Sequence, residues 1–262
     1  MIQSLDSKKI FIFDMDGTIS LGGQLFPASN PLFRLLIQQG KRVYIMTNNS
    51  SRTTPAYMEK LEKMGLDMTG IEILSSLDLA IDFLRDSAMN NVCWIANDEV
   101  STYLQKVGFT YNDTNPDCLL LTYDTQINYE KLLKATELLN NGIPYYATHI
   151  DNVCPTELGY PVPDIGTYIE TIRITTGKTP LATFGKPALY AINAIRRQNS
   201  GVELGDIVFV GDRLYTDIQF AINAGITSVL TLSGETDIQM YEKSAVKADL
   251  VVENIGEMMG MV

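Results

Sequence analysis

The sequence predicts an α/β fold in which buried parallel strands alternate with helices, arranged as a core with a second α/β part inserted into it. Three observations carry that expectation. Runs of β-branched and aromatic residues, such as Ile10–Phe13 and Ile207–Val210, stop abruptly at Gly and Asp, as strands buried on both faces do. Segments with helical spacing of apolar residues separate them, which favours crossover connections. Acids close the strands at residues 14 and 212, whereas the middle of the chain repeats the strand–helix grammar without such pairs.

The elements follow in order. Ile10–Phe13 is the first strand, and the Gly-rich stretch Leu21-Gly22-Gly23 comes after it. Asn30-Pro31 opens a helix as N-cap and first helical residue; Leu32, Leu35 and Leu36 form its apolar stripe and Gly40 ends it. Val43–Met46 is the second strand, Thr54-Pro55 starts a helix running to Gly65, and Ile71–Leu74 is a third strand. Strands at Val92–Ile95, Cys118–Leu121 and Tyr145–Ala147, with helices around Leu77–Arg85, Glu99–Val107 and Tyr129–Leu139, make the inserted block. Its exit is the Pro-rich segment Pro155–Pro163, followed by a helix near Thr167–Thr176. Strands at Ile207–Val210, Ser228–Thr231 and Leu250–Val252 return to the core, so residues 1–75 and 183–262 form one domain and 76–182 the insert. Met258, Met259 and Met261 read as terminal packing.

Composition narrows the chemistry. The chain has 262 residues, 45% of them hydrophobic and 19% charged, which suits a protein with a real core. A net charge of −11 disfavours nucleic acid and anionic membrane as partners. An acidic protein handling an anionic substrate needs local cations, so a bound metal is expected. No apolar run approaches the roughly 20 residues of a membrane span, and the N-terminus does not resemble a secretory signal. Three cysteines without a Cys-x-x-Cys pair suit a reducing cytoplasm. His149 is the only histidine, which removes multi-histidine metal sites. No cysteine precedes an arginine by six positions, which removes the Cys-Arg phosphatase arrangement. Gly177-Lys178-Thr179 imitates the end of a phosphate-binding loop, but Ile172 stands where its first glycine belongs.

Four segments then converge on phosphate chemistry. Asp14-Met15-Asp16-Gly17-Thr18 places two carboxylates at a strand's C-terminal end, where open α/β sheets bind ligands. Thr47-Asn48-Asn49 offers a hydroxyl and amides at the next strand end. Gly185-Lys186-Pro187 is expected just before a helix containing Ala188, Ala191 and Ile195, with Pro187 at its first position. A lysine there opposes the helix dipole, and an anionic partner would explain it. Gly211-Asp212 through Asp217 delivers a second acid cluster, and Asp14 with Asp212 on neighbouring strands would form a hard-oxygen site suited to Mg²⁺.

Taken together, Asp-x-Asp-Gly-Thr at 14–18, Thr47, Lys186 and Gly-Asp-x-x-x-x-Asp at 211–217 resemble the haloacid dehalogenase superfamily. The Gly-Asp-Arg, Gly-Lys-Pro and Thr-Asn-Asn triplets resemble its NagD-like, para-nitrophenyl-phosphatase-like branch, and the insert resembles that branch's type II (IIA) cap. The resemblance implies a Rossmann-like core with a specificity cap, and a cytoplasmic, Mg²⁺-dependent phosphatase of small phosphorylated metabolites; a homodimer is left open. It implies Asp14 as nucleophile and Asp16 as acid and base. Mg²⁺ would be held by Asp14, the Asp16 backbone carbonyl and Asp212, with Asp217 orienting the metal shell. Thr47 and Lys186 would bind the phosphoryl group, and Asn48 would contact the substrate or support the site. In that branch the cap strand commonly ends Thr-Asn-Pro-Asp and a Pro-Gly-x-Gly stretch follows. Here the residues are Thr148-His149-Ile150-Asp151 and Val162-Pro163-Asp164-Ile165-Gly166, so His149 and Asp151 become candidate contacts to the leaving group. A phosphotransferase or mutase on the same core, or a non-catalytic phosphometabolite-binding module, are the alternatives.

Overall fold

The structure is a computed structural model and describes residues 4–154 and 160–262. The chain divides into two compact units, the first comprising Met1–Thr47, Tyr57–Leu74 and Lys186–Val262, the second Asn48–Ala56 and Ser75–Gly185.

The first unit is built on a six-stranded sheet. Its order is Leu250–Val252, Thr227–Thr231, Ile207–Gly211, Ile10–Asp14, Arg42–Thr47, Ile71–Ser75. Ile10–Asp14 lies in the interior and pairs in parallel with both neighbours, Ile10 opposite Ile207 on one side and Arg42 on the other. Its first four side chains are buried, which explains the uninterrupted apolar run. The chain builds outward from this strand to Arg42–Thr47, then returns on its other side at Ile207–Gly211. That reversal creates the crevice where α/β sheets bind ligands. The helix Ser29–Gln38 buries Leu32, Phe33 and Leu36 against the sheet, with the Phe13 and Phe33 rings 4.8 Å apart. Truncating such a ring costs about 3–5 kcal/mol, so this face anchors the strand that ends at Asp14.

Two local expectations change here. Asn30 does not cap its helix, which begins at Ser29 after a helical Ala28 that makes no side-chain cap bond. Its amide instead donates to the Gly65 carbonyl at 2.8 Å and accepts from the Asp67 N–H at 2.9 Å, tying the helix to a distant loop. The Gly-rich stretch is a tight hairpin of Ser20–Leu21 with Gln24–Leu25. Gly22 and Gly23 both have positive φ, +57° and +74°, which the two-residue turn matching strand twist demands. Met258 and Met261 pack on the core as expected, while Met259 is exposed.

The second unit carries a four-stranded parallel sheet ordered Thr110–Tyr111, Asn91–Ile95, Cys118–Leu121, Tyr145–Ala147. The edge strand Thr110–Tyr111 is too short and exposed to show a hydrophobic pattern. Asn97, Asn128 and Asp164 cap the helices Asp98–Lys106, Tyr129–Asn140 and Ile165–Thr176 by accepting from backbone N–H groups. Of the Pro-rich exit, residues 155–159 lie outside the described residues; Val162–Pro163 pairs antiparallel with Val153–Cys154. Burial pushes the Cys93 thiol up to about 11 and that of Cys118 to about 12, so both are inert at neutral pH. Among the described residues no helix is long and apolar enough to cross a membrane.

Candidate active site

Three adjacent strands of the first unit end at residues the sequence singles out. Asp14 closes Ile10–Asp14, Thr47 closes Arg42–Thr47, and Asp212 follows Ile207–Gly211. Parallel pairing puts all three carboxyl ends on one side of the sheet. Gly17, at φ +94°, lets the chain turn there, and a Cβ on it would lie 2.3 Å from Asp212 Oδ2. A Cβ on Gly234 would lie 2.1 Å from the same atom, so two glycine backbones enclose this carboxylate.

Lys186 is not at a helix start. Its peptide to Pro187 is cis, and the helix begins only at Tyr190 after Leu189, so Pro187 is not a first helical residue. The dipole argument falls away, and a stronger cause replaces it. The Lys186 ammonium is buried, bonded to the Asp14 carboxylate and 2.7 Å from Asp217 Oδ1, with the Phe209 ring centroid 5.2 Å away. Burial works against its charge, yet Asp14 and Asp217 outweigh that and hold its pKa above the usual lysine value. Asp217 is wholly buried, and its other oxygen accepts from the Asp212 and Arg213 N–H groups at 3.1 and 3.0 Å. One carboxylate therefore orients both the lysine and the loop bearing Asp212.

Asp14, Asp212 and Asp217 bring ligand oxygens within 4.8 Å of one another. Burial, with the Asp217 charge adding to it, pushes the Asp212 carboxyl up to about 7. Burial likewise drives Asp14 well above the usual carboxylate range, against the pull of Lys186. Asp212 Oδ2 accepts from the Glu235 N–H at 2.7 Å, but Oδ1 is shielded from solvent with no hydrogen-bond partner. A shielded, unsatisfied carboxylate oxygen beside two further carboxylates fits a hard divalent cation such as Mg²⁺.

Asp16 stands apart from this carboxylate group: its side chain is 41% exposed and 3.8 Å from Lys60 Nζ. Thr47 is buried at its strand end. Asn48 belongs to the second unit, where its amide donates to Asp151 Oδ1 at 3.1 Å. In that unit His149 is fully buried, Nδ1 lying 3.2 Å from Thr148 Oγ1 and Nε2 3.1 Å from Asp164 Oδ1. Two features had no sequence signal strong enough to find them. The loop 233–236 holds the first unit's site together: Ser233 donates to the Gly17 carbonyl at 2.8 Å, and Glu235 pairs with Arg213 at 2.9 Å. Asp164 as partner of His149 is the second, since nothing local links residues fifteen positions apart.

A family model described as haloacid dehalogenase-like hydrolase matches residues 11–110, and a second, HAD-hydrolase-like model matches residues 183–258. The structure of 4-nitrophenylphosphatase from Thermotoga maritima superposes with a TM-score of 0.93 at 35% identity, covering 98% of each chain. Acid sugar phosphatase of Staphylococcus aureus is 26% identical over 95% of this chain and 96% of its own. Phosphoglycolate phosphatase 1A of Arabidopsis thaliana is 28% identical over 97% of this chain and 77% of its own. The chain belongs to the haloacid dehalogenase-like hydrolases, in their NagD-like, 4-nitrophenylphosphatase-like branch.

Proposed function

We propose that this hydrolase cleaves small phosphomonoesters through a phosphorylated Asp14, with Mg²⁺ as cofactor. The observation that carries the reading is the buried Lys186 ammonium gripping Asp14 and Asp217 beside the unpartnered Asp212 oxygen. A cation is already aimed at the nucleophile, so the position also suits a phosphoryl oxygen brought to that nucleophile.

In this reading an Asp14 oxygen attacks phosphorus, the P–O bond to the alcohol breaks, and the alcohol leaves with a proton from Asp16. Asp16 then takes a proton from the water that hydrolyses the acyl phosphate, regenerating Asp14 and releasing phosphate. Giving its proton to the alcohol leaves Asp16 as the carboxylate that the second half needs as base, and its half-exposed side chain can meet both alcohol and water. Thr47 and Lys186 bind phosphoryl oxygens, and Asp217 keeps Lys186 and the Asp212 loop in place. Asp14, Asp212 and the Asp16 carbonyl would hold Mg²⁺, which when bound offsets the repulsion between carboxylate and phosphate. The second unit acts as the cap that selects the leaving alcohol, and the reduced thiols suit a cytoplasmic setting.

The test is phosphate release from 4-nitrophenyl phosphate, sugar phosphates, phosphoglycolate, nucleotides and pyridoxal phosphate. With Mg²⁺ at least one ester is hydrolysed, and EDTA lowers the rate about 10²-fold or more until Mg²⁺ is restored. Absence of metal-dependent release from every ester sinks the proposal.

A further inference from the structure

The chain crosses between its units four times, and two of the crossings are Thr47–Asn48 and Gly185–Lys186. The first-unit sides of these crossings are Thr47 and Lys186, the two residues assigned above to the phosphoryl group. Their second-unit sides meet around His149. A Cβ on Gly185 would lie 2.6 Å from Asn48 Oδ1 and 2.8 Å from the His149 Cβ, so all three pack with no room to spare. The Gly185 N–H donates to the Thr148 carbonyl at 2.7 Å, and Phe184 N–H to the same oxygen at 3.1 Å. Ser50 Oγ and Thr148 Oγ1 are 2.7 Å apart, while Asn48 reaches Asp151 at 3.1 Å. The segment 148–151 therefore grips the second-unit side of both of these crossings.

What holds that segment is the His149–Asp164 pair. His149 commits both ring nitrogens to its own chain, Nδ1 to Thr148 and Nε2 to Asp164. Asp164 is in turn fixed at a helix N-terminus, its Oδ1 accepting from the Ile165 N–H at 2.6 Å. The sequence departs from the branch pattern at His149, Ile150 and Asp164, and two of these departures, His149 and Asp164, touch each other. A buried imidazole with neither nitrogen free is poorly placed to contact a substrate.

We infer that His149, braced by Asp164, is a positioning residue: it fixes the crossings at Asn48 and Gly185 and through them the placement of Thr47 and Lys186 on the phosphoryl group. The inference rests on the phosphatase reading for those two residues. Displacing a phosphate-binding group by a fraction of an ångström weakens every ester equally, because the phosphoryl group is common to all; losing a contact to the alcohol weakens only some.

The experiment compares His149→Ala and His149→Gln with the unaltered protein. It measures kcat/KM on two esters with unlike alcohols, binding of inorganic phosphate by calorimetry, and the melting temperature. Expected for His149→Ala is a loss of about tenfold in kcat/KM, the same factor on both esters, matched by weaker phosphate binding. Gln keeps an N–H near the Nε2 position and so should recover most of the loss. A loss confined to one ester, with phosphate binding intact, would make His149 a substrate contact and overturn the inference. So would a lower melting temperature with unchanged kcat/KM and phosphate binding, which marks a purely structural role. If Ala does not fold, the Gln variant together with His149→Asn, which lacks reach to Asp164, makes the same comparison. An unaltered protein that hydrolyses nothing refutes the phosphatase reading separately, and phosphate binding still decides this one.

Discussion

Among the described residues, two clusters of ionisable side chains gather, one in each unit. Asp14, Asp212 and Asp217 bring ligand oxygens within 4.8 Å of one another, and so do the ligand atoms of His149, Asp151 and Asp164. By residue type either could be a site. The first keeps a shielded oxygen of Asp212 without a partner, and the Asp14 side chain remains 13% exposed. In the second, His149 is wholly buried with both nitrogens bonded within its own unit. The two clusters thus differ in unsatisfied bonding capacity and access, which is the difference expected if the first is reactive and the second a brace. Composition alone does not separate them, because burial raises the cost of charge in both.

Matched substitutions test that contrast most strongly. Asp14→Asn is expected to cut phosphate release by about 10³-fold or more with the fold retained, because the amide is no nucleophile. Asp164→Asn keeps both the helix cap and a partner for His149, so its loss should stay within about tenfold. Steady-state rates with circular dichroism of both variants decide the matter; equal losses would erase the distinction.

Removing Lys186 should come next in size. Lys186→Ala leaves Asp14 and Asp217 buried without their cation. It is expected to lower kcat/KM about 10²-fold and, without metal, to destabilise the protein by about 3–5 kcal/mol. Urea unfolding in EDTA and rate measurements with Mg²⁺ read the two effects; if neither moves, the lysine has no role in the open cluster.

The smallest effect concerns pH. In the folded state Asp212 keeps its proton up to about pH 7, against an ordinary aspartate value of 3.8. The unfolded chain gives that proton up first, so the contribution to stability is present below pH 3.8 and is lost as pH rises towards 7. The melting temperature of metal-free protein should therefore fall between pH 4 and 7, and Mg²⁺ should raise it more at pH 7 than at pH 5. Scanning calorimetry at both pH values checks this; an equal metal shift at each would mean that Asp212 ionises normally.

Much of the fold was legible because its signals are local. Ile10–Phe13 announces a buried strand through its own composition, and Asp14 marks the end through its own chemistry. The same holds for Cys118–Leu121 and for Asp212 after Val210. Asn30 shows the limit: an Asn before Pro at a helix start reads as a cap, but its amide found Gly65 and Asp67 instead. The loop 233–236 carries no periodicity or motif, and its role appears only when Ser233 reaches Gly17.

The sequence by itself determined which residues stand at the carboxyl ends of strands, since hydrophobic period and turn chemistry operate within a few residues. Only the tertiary structure decided what those residues face. Lys186 meets Asp14 across 172 positions of chain, and His149 meets Asp164 across 15. Such partners are set by strand order, register and burial, which are properties of the whole packed chain. The same packing decides which carboxylate oxygen is left without a bond.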